Sequence, residues 1–196
     1  MNKISGKIVN YNSTFEGEIN FDKTIKYIKE IKNKKNNNYI IPGFVDLHCH
    51  GGNGFDTMEG IESIVKMSRY HLLHGTTSIM PTTWTNTLAN TYRALNGFNR
   101  IVKENSNILG IHLEGPFINP NKLGAQPNLT IPPSQEFVEK LFQEANIKII
   151  TLAPEIDGME TFIEFLSNLK IKIQFGHSIA DFSMCEKFMN NYEIGF

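Results

Sequence analysis

The sequence predicts an α/β fold in which parallel strands alternate with crossover helices, preceded by a short β-rich segment. Two observations predict it. After residue 40, apolar β-rich runs recur with their starts about 24 to 39 residues apart, each followed by a loop and an amphipathic stretch, which is the spacing of βαβ units. Before residue 40 the pattern changes to short alternating runs without helical spacing. With 196 residues, 40% of them hydrophobic, the chain can bury a sizeable core.

Taken in order, residues 1 to 39 hold two short strands, "KISGKIV" and "FEGEINF", and a stretch, "TIKYIKEI", that fits a strand or a helix by pattern. Residues 40 to 196 form the α/β part. Its strand-like runs are "IIPGFVDLHCH" (40 to 50), "GTTSIMPTT" (75 to 83), "ILGIHLEG" (108 to 115), "IKIITLAPE" (147 to 155) and "IKIQFGHS" (171 to 178). Helices fit between them. "SIVKMSRYHLLHG" is one; in another, Ser134 is placed to cap and Phe137, Val138, Leu141, Phe142 and Ala145 make one apolar stripe. Phe162, Ile163, Leu166 and Leu169 repeat the spacing one unit on, and "ADFSMCEKFMNN" is the last helix. That makes about five of the eight βα units of a closed barrel. On this count the first and fifth strands are the edges of the parallel sheet.

Composition narrows the function classes. A net charge of −1 demands neither an acidic nor a basic partner. The lysine-rich tract "KEIKNKKNNN" (29 to 38) carries no interleaved aromatic residues and reads as a solvated loop rather than a nucleic-acid patch. The N-terminus lacks the apolar stretch of a signal peptide, and no run approaches the ~20 apolar residues of a membrane span. The expectation is a soluble, cytoplasmic protein with no nucleic-acid or membrane partner. Cys49 and Cys185 have no CxxC spacing and are expected to be reduced thiols.

The chemistry lies at strand ends. Residues i and i+2 of a strand face the same way, so His48 and His50 project together, with Asp46 one step earlier, while Cys49 points to the opposite side. Neutral imidazole nitrogen is a good donor to zinc or iron, yet HxH alone fits structural histidines equally well. In the third run Glu114 ends an otherwise apolar stretch just before Gly115-Pro116, and a buried carboxylate needs a cation or a tight partner. His112, one pleat back, reads as a core residue or one standing behind the ligands. His177 ends the fifth run, whereas His71 and His74 suit the C-terminal end of a helix. His48, His50, Glu114 and His177 thus share the carboxyl ends of alternate strands, where a (β/α)8 barrel carries its active site. The expected site holds a divalent metal.

Taken together, "PGFVDLHCHGGNGFDTMEG", "GTTSIMPTTWT", "GIHLEGPFINPNKLGAQP", "LAPE" and "FGHS" resemble the N-acetylglucosamine-6-phosphate deacetylases of the amidohydrolase superfamily. "HLEGPF" followed by "GAQP" is the specific part; HxH points only to the superfamily. The resemblance implies a metal-dependent (β/α)8 TIM barrel with a small β-sandwich domain, the latter begun by residues 1 to 39. It implies removal of the acetyl group from N-acetylglucosamine 6-phosphate to give glucosamine 6-phosphate and acetate, with one or two ions of zinc or iron, in a homo-oligomer. Glu114 matches the family's ligand carboxylate and His177 one of its further histidine ligands. His48 and His50 match a pair that some members use for a second ion. Gln126 stands in a loop where some members carry a substrate-contacting histidine, with Lys122 and Asn128 as nearby polar candidates.

The family's remaining metal histidine and its proton-transferring aspartate would fall beyond residue 196, so no catalytic residue is assigned within the chain. Three readings follow: a deacetylase, either as the family member this gene descends from or as one half of a split enzyme completed by a second polypeptide; a non-catalytic remnant that binds metal at most weakly; and another amidohydrolase. A dihydroorotase-like enzyme would use a modified lysine at the end of the fourth strand, where "TLAPE" has none.

Overall fold

The structure is a computed structural model that describes residues 1–32 and 37–195. The chain divides into two compact units, Met1–Phe44 and Val45–Phe196.

In the first unit, β1 (Asn2–Val9) and β2 (Thr14–Phe21) pair antiparallel from Asn2 opposite Phe21 to Val9 opposite Thr14. β3 (Ile25–Glu30) adds antiparallel to β2, and β4 (Tyr39–Ile40) adds parallel to β1, giving the order β3-β2-β1-β4. The ambiguous stretch "TIKYIKEI" is therefore a strand. An isolated helix of that length is marginal in water, whereas β2 offers a row of unpaired backbone groups. Ile8 and Ile19 are buried, whereas Ile4, Tyr27 and Ile28 are exposed. Among the described residues this unit holds one four-stranded sheet. The lysine-rich tract falls partly in β3, and its centre, 33–36, lies outside the described residues.

The second unit carries the parallel strands. β5 (Phe44–Cys49) is followed by a small antiparallel ribbon of β6 (Gly51–Gly52) and β7 (Phe55–Asp56), then α1 (Ile61–Leu73) and β8 (Thr76–Pro81), which pairs with β5. Two helices, α2 (Leu88–Leu95) and α3 (Phe98–Glu104), lead to β9 (Ile111–Glu114). After it come α4 (Gln135–Glu144), β10 (Ile147–Leu152), α5 (Met159–Asn168), β11 (Lys172–Phe175), α6 (Phe182–Met189) and β12 (Ile194–Gly195). β9 to β12 run parallel in sequence order, and parallel bridges at Ile79–Ile108 and Thr82–His112 join β8 to β9. Helix starts are capped by side chains where the sequence supplies them: Ser134 Oγ accepts the Phe137 N–H at 3.2 Å and Asp181 the Met184 N–H at 2.8 Å.

Two expectations are corrected. The five βα units are followed by a further strand, β12, whose Ile194 and Gly195 pair with Ile173 and Gln174, so β12 rather than β11 is the last strand of the sheet. Two residues are too short for periodicity to reveal a strand; only the neighbouring ladder does so. Several runs are also longer than their strands. Gly110, at φ 154°, separates Ile108 from β9, and β11 stops at Phe175, two residues before His177 turns to φ 52°. Among the described residues the sheet is open, not a closed barrel.

Strand alternation sorts the apolar side chains to the helix layer. Cys49, Ile79, Ile111, Ile64, Met67, Phe98 and Ile101 form one cluster against α1 and α3. Leu113, Ile150, Leu152, Ile173 and Phe175 form another with the inward faces of α4, α5 and α6, including Phe137, Leu141, Phe162 and Leu166. Full burial of such side chains contributes roughly 1.5–3 kcal/mol each. It also fixes the register of β9, sending Ile111 and Leu113 to the helices and His112 and Glu114 to the opposite face.

Candidate metal centre

Three chain segments converge on Glu114, the last residue of β9 and only 4% exposed. From β5 and the residue just beyond it, His48 Nε2 lies 3.4 Å from Glu114 Oε1 and His50 Nε2 3.0 Å from Oε2. From the loop after β11, His177 Nε2 lies 3.2 Å from Oε1. The two β5-side nitrogens are 3.1 Å apart. Ligand atoms of His48, His50 and Glu114 all lie within 4.8 Å of one another, and among the described residues they form the one such group of three. His177 lies outside that set, although its Nε2 faces the same carboxylate oxygen as His48. Glu114 is thus common to two candidate half-sites.

The rings are oriented by backbone carbonyls. His50 Nδ1 donates to the Thr82 carbonyl at 3.2 Å and His177 Nδ1 to the Lys122 carbonyl at 2.8 Å. A carbonyl can only accept, so the proton of each neutral ring sits on Nδ1 and the Nε2 lone pair faces the carboxylate. Lone pairs opposed to an ionised carboxylate at 3.0–3.2 Å repel one another unless a cation lies among them or the rings are doubly protonated. This donor set fits a divalent ion, for which imidazole nitrogen and carboxylate oxygen are suitable ligands. With the imidazoles doubly protonated instead, burial pushes the Glu114 carboxyl upward, but hydrogen bonding from His50, the charges of His48 and His50 and the bond from His177 outweigh it and hold it below the usual carboxylate range.

Other side chains brace the cluster. Trp84 stacks on the His50 ring at 4.2 Å between centroids and donates its indole N–H to Asp56 at 2.9 Å. His112 is fully buried behind His48, with ring centroids 4.8 Å apart. Its Nδ1 donates to the Leu47 carbonyl at 3.0 Å, leaving Nε2 to accept the Thr151 hydroxyl at 2.7 Å. Burial drives its pKa down to about 4, so it stays neutral. Gly115, at φ 69°, brings the backbone against Thr85, where a Cβ would collide with the Thr85 side chain.

Gln126 is buried, bonded at one end to Glu114 and at the other to the Thr85 N–H. Lys122 contributes its backbone carbonyl to His177 while its side chain is exposed. Asn128 is exposed and lines a separate groove of about 540 Å³ with Asn86 and Phe137. Cys49 is buried on the opposite side of β5, its Sγ 3.4 Å from His71 Nε2. His74 is exposed at the end of α1, its Nδ1 2.8 Å from the Tyr70 carbonyl. Sequence reasoning missed Trp84, Thr82 and Thr151, and a clamp formed by Asn119, Glu155 and Ser178. None carries a spacing signal, since each acts through a contact made across the sheet or between loops.

The chain was compared with known proteins. A profile described as the amidohydrolase family matches residues 39–192. The N-acetylglucosamine-6-phosphate deacetylase of Bacillus subtilis is 41% identical over 165 residues, 79% of this chain and 41% of that protein. The human protein of the same name is 32% identical over 168 residues, 75% of this chain and 39% of that protein. The chain therefore spans about two fifths of the length of these relatives. The crystal structure of the Thermotoga maritima N-acetylglucosamine-6-phosphate deacetylase superposes with a TM-score of 0.86 at 28% identity, over 98% of this chain and 53% of that one. The Mycobacterium smegmatis structure, at 22% identity and a TM-score of 0.85, agrees in fold.

Proposed function

The chain belongs to the amidohydrolase family, and on that premise we propose that it provides the metal-holding part of an N-acetylglucosamine-6-phosphate deacetylase. The proposed reaction is hydrolysis of the acetamide of N-acetylglucosamine 6-phosphate to glucosamine 6-phosphate and acetate. The observation that carries it is the convergence of three imidazole Nε2 atoms on one buried carboxylate. The 41% identity to a protein of that name supports the substrate class.

In this reading His48, His50 and Glu114 hold one divalent ion, zinc or iron, and Glu114 with His177 contributes to a second position. Such an ion, when bound, polarises an amide carbonyl and acidifies water, so that attack proceeds near neutral pH. The chain's own groups do the rest. The Thr82 and Lys122 carbonyls keep the Nε2 lone pairs aimed inward, and Gln126 holds the Glu114 plane. Trp84 covers one face of His50 and limits water there. Lys122 and Asn128 remain candidates for contacts to the sugar phosphate.

A second reading, a metal binder without turnover, is favoured by one observation: among the described residues Glu114 is the lone carboxylate of the cluster, and it is already engaged by three imidazoles and Gln126. Proton transfer to the departing amine needs a further acid–base group. The test is acetate release from N-acetylglucosamine 6-phosphate, with zinc or iron supplied. The chain is assayed alone and mixed with the C-terminal part of the Bacillus subtilis relative that it does not span. Release in either setting that a chelator and Glu114→Gln both abolish supports deacetylation. Tight metal binding without release in both selects the second reading.

A further inference from the structure

Glu155 lies in the loop after β10 and bonds none of the four converging side chains, yet three of its hydrogen bonds close a ring around His177. Its Oε1 accepts the Asn119 side-chain amide at 2.8 Å and the Ile179 backbone N–H at 2.8 Å. Its Oε2 accepts the Ser178 hydroxyl at 2.6 Å. The Asn119 N–H donates to the His177 carbonyl at 3.0 Å, and the Asn119 carbonyl accepts the Lys122 N–H at 2.9 Å. The Lys122 carbonyl is the group that receives His177 Nδ1–H. The carboxylate thereby staples the loop after β9 to the loop after β11, and His177 is gripped from both sides at its carbonyl and its ring.

His177 needs such a grip. It sits at φ 52°, a left-handed conformation that is unfavourable for a side-chain-bearing residue and persists only when its surroundings over-determine it. Gly176 still donates to the Leu152 carbonyl at 3.1 Å, but β11 has ended and the ladder goes no further. Released from Asn119 and Ser178, the backbone at 177 would relax and carry Nε2 away from Glu114.

We propose that Glu155 is a positioning residue for the metal centre, setting the placement of His177 and through it the affinity of the half-site that His177 shares with Glu114. This rests on His177 being a ligand, as proposed above. Outer groups that orient a ligand commonly change metal affinity about 10- to 100-fold when removed.

The test compares wild type, Glu155→Ala, Glu155→Gln, His177→Ala and the double variant Glu155→Ala/His177→Ala, with circular dichroism to establish folding. Zinc and cobalt affinities are measured by calorimetry and absorption, and the His177 ring tautomer is read by ¹⁵N NMR in chelator. Glu155→Ala should weaken binding at the His177 half-site about 10- to 100-fold and erase the Nδ1-protonated signature of His177. Glu155→Gln, which keeps a carbonyl for Asn119 and Ile179, should restore most of both. In the His177→Ala background, Glu155→Ala should change affinity no further. An equal loss in that background, or a His177 signature unmoved in Glu155→Ala, overturns the proposal. If Glu155→Ala does not fold, Ser178→Ala decides, because it removes the Glu155 Oε2 bond next to His177: affinity and tautomer both identical to wild type would overturn the proposal. Absence of metal binding by the wild type itself would instead sink the metal reading, while the tautomer measurement still decides the positioning role.

Discussion

Gln126 binds Glu114 through its side-chain amide while its own carbonyl accepts the Thr85 backbone N–H at 2.7 Å, so one buried side chain fixes the carboxylate plane to the loop after β8. Replacing it with Leu would leave the buried Thr85 N–H without its acceptor and take one of two contacts from Glu114 Oε2. A buried donor or acceptor left unsatisfied costs about 1–3 kcal/mol. Gln126→Leu should therefore lose about that much in urea unfolding, whereas Lys122→Ala, whose contribution is a backbone carbonyl, should lie within roughly 0.5 kcal/mol of wild type. Equal stability of Gln126→Leu and wild type would show that the amide does not hold Glu114.

Metal content should follow the geometry of the cluster. Glu114→Ala removes the shared member and should abolish stoichiometric zinc. His48→Ala and His50→Ala should lower it at one half-site, and His177→Ala at the other. Elemental analysis after gel filtration gives the readout, and unchanged stoichiometry in Glu114→Ala would reject the assignment.

His112 links stability to pH. Its pKa is about 4 in the fold against 6.5 unperturbed, so between those values the unfolded chain binds more protons than the folded one. Its contribution is fully present above pH 6.5 and is lost as pH falls towards about 4. Unfolding free energies measured in chelator should therefore drop through that window by an amount on the order of a few kcal/mol. His112→Gln, which can still bond Leu47 and Thr151, should flatten that part of the profile; an identical slope would assign the proton uptake elsewhere.

Cys49 should behave as a core thiol. It is 8% exposed, and burial followed by the nearby Asp46 charge pushes its pKa up, which depletes the reactive thiolate. A maleimide should label Cys185 well before Cys49, and Cys49→Ser should keep full zinc stoichiometry. Rapid labelling of Cys49 that zinc blocks would contradict the strand alternation from which its position follows.

The sequence by itself determined the layering and the candidate ligands. Period-two alternation placed His48 and His50 on one side of β5 and Cys49 on the other, and apolar stripes such as Phe137, Val138 and Leu141 marked the buried helix faces. Residue chemistry at strand ends singled out Glu114, His112 and His177. These features are legible because they are local: a strand or helix imposes its period on the residues that build it. Tertiary structure decided what depends on contacts between segments distant in sequence. Ladder pairing with β2 made Ile25–Glu30 a strand, and pairing with β11 made Ile194–Gly195 one. The protonated nitrogen of His50 and of His177 was set by carbonyls at Thr82 and Lys122, 32 and 55 residues away. The same holds for Gln126 on Glu114, Trp84 on His50 and Glu155 behind His177, because hydrogen bonds and ring stacking leave no periodic trace in a sequence.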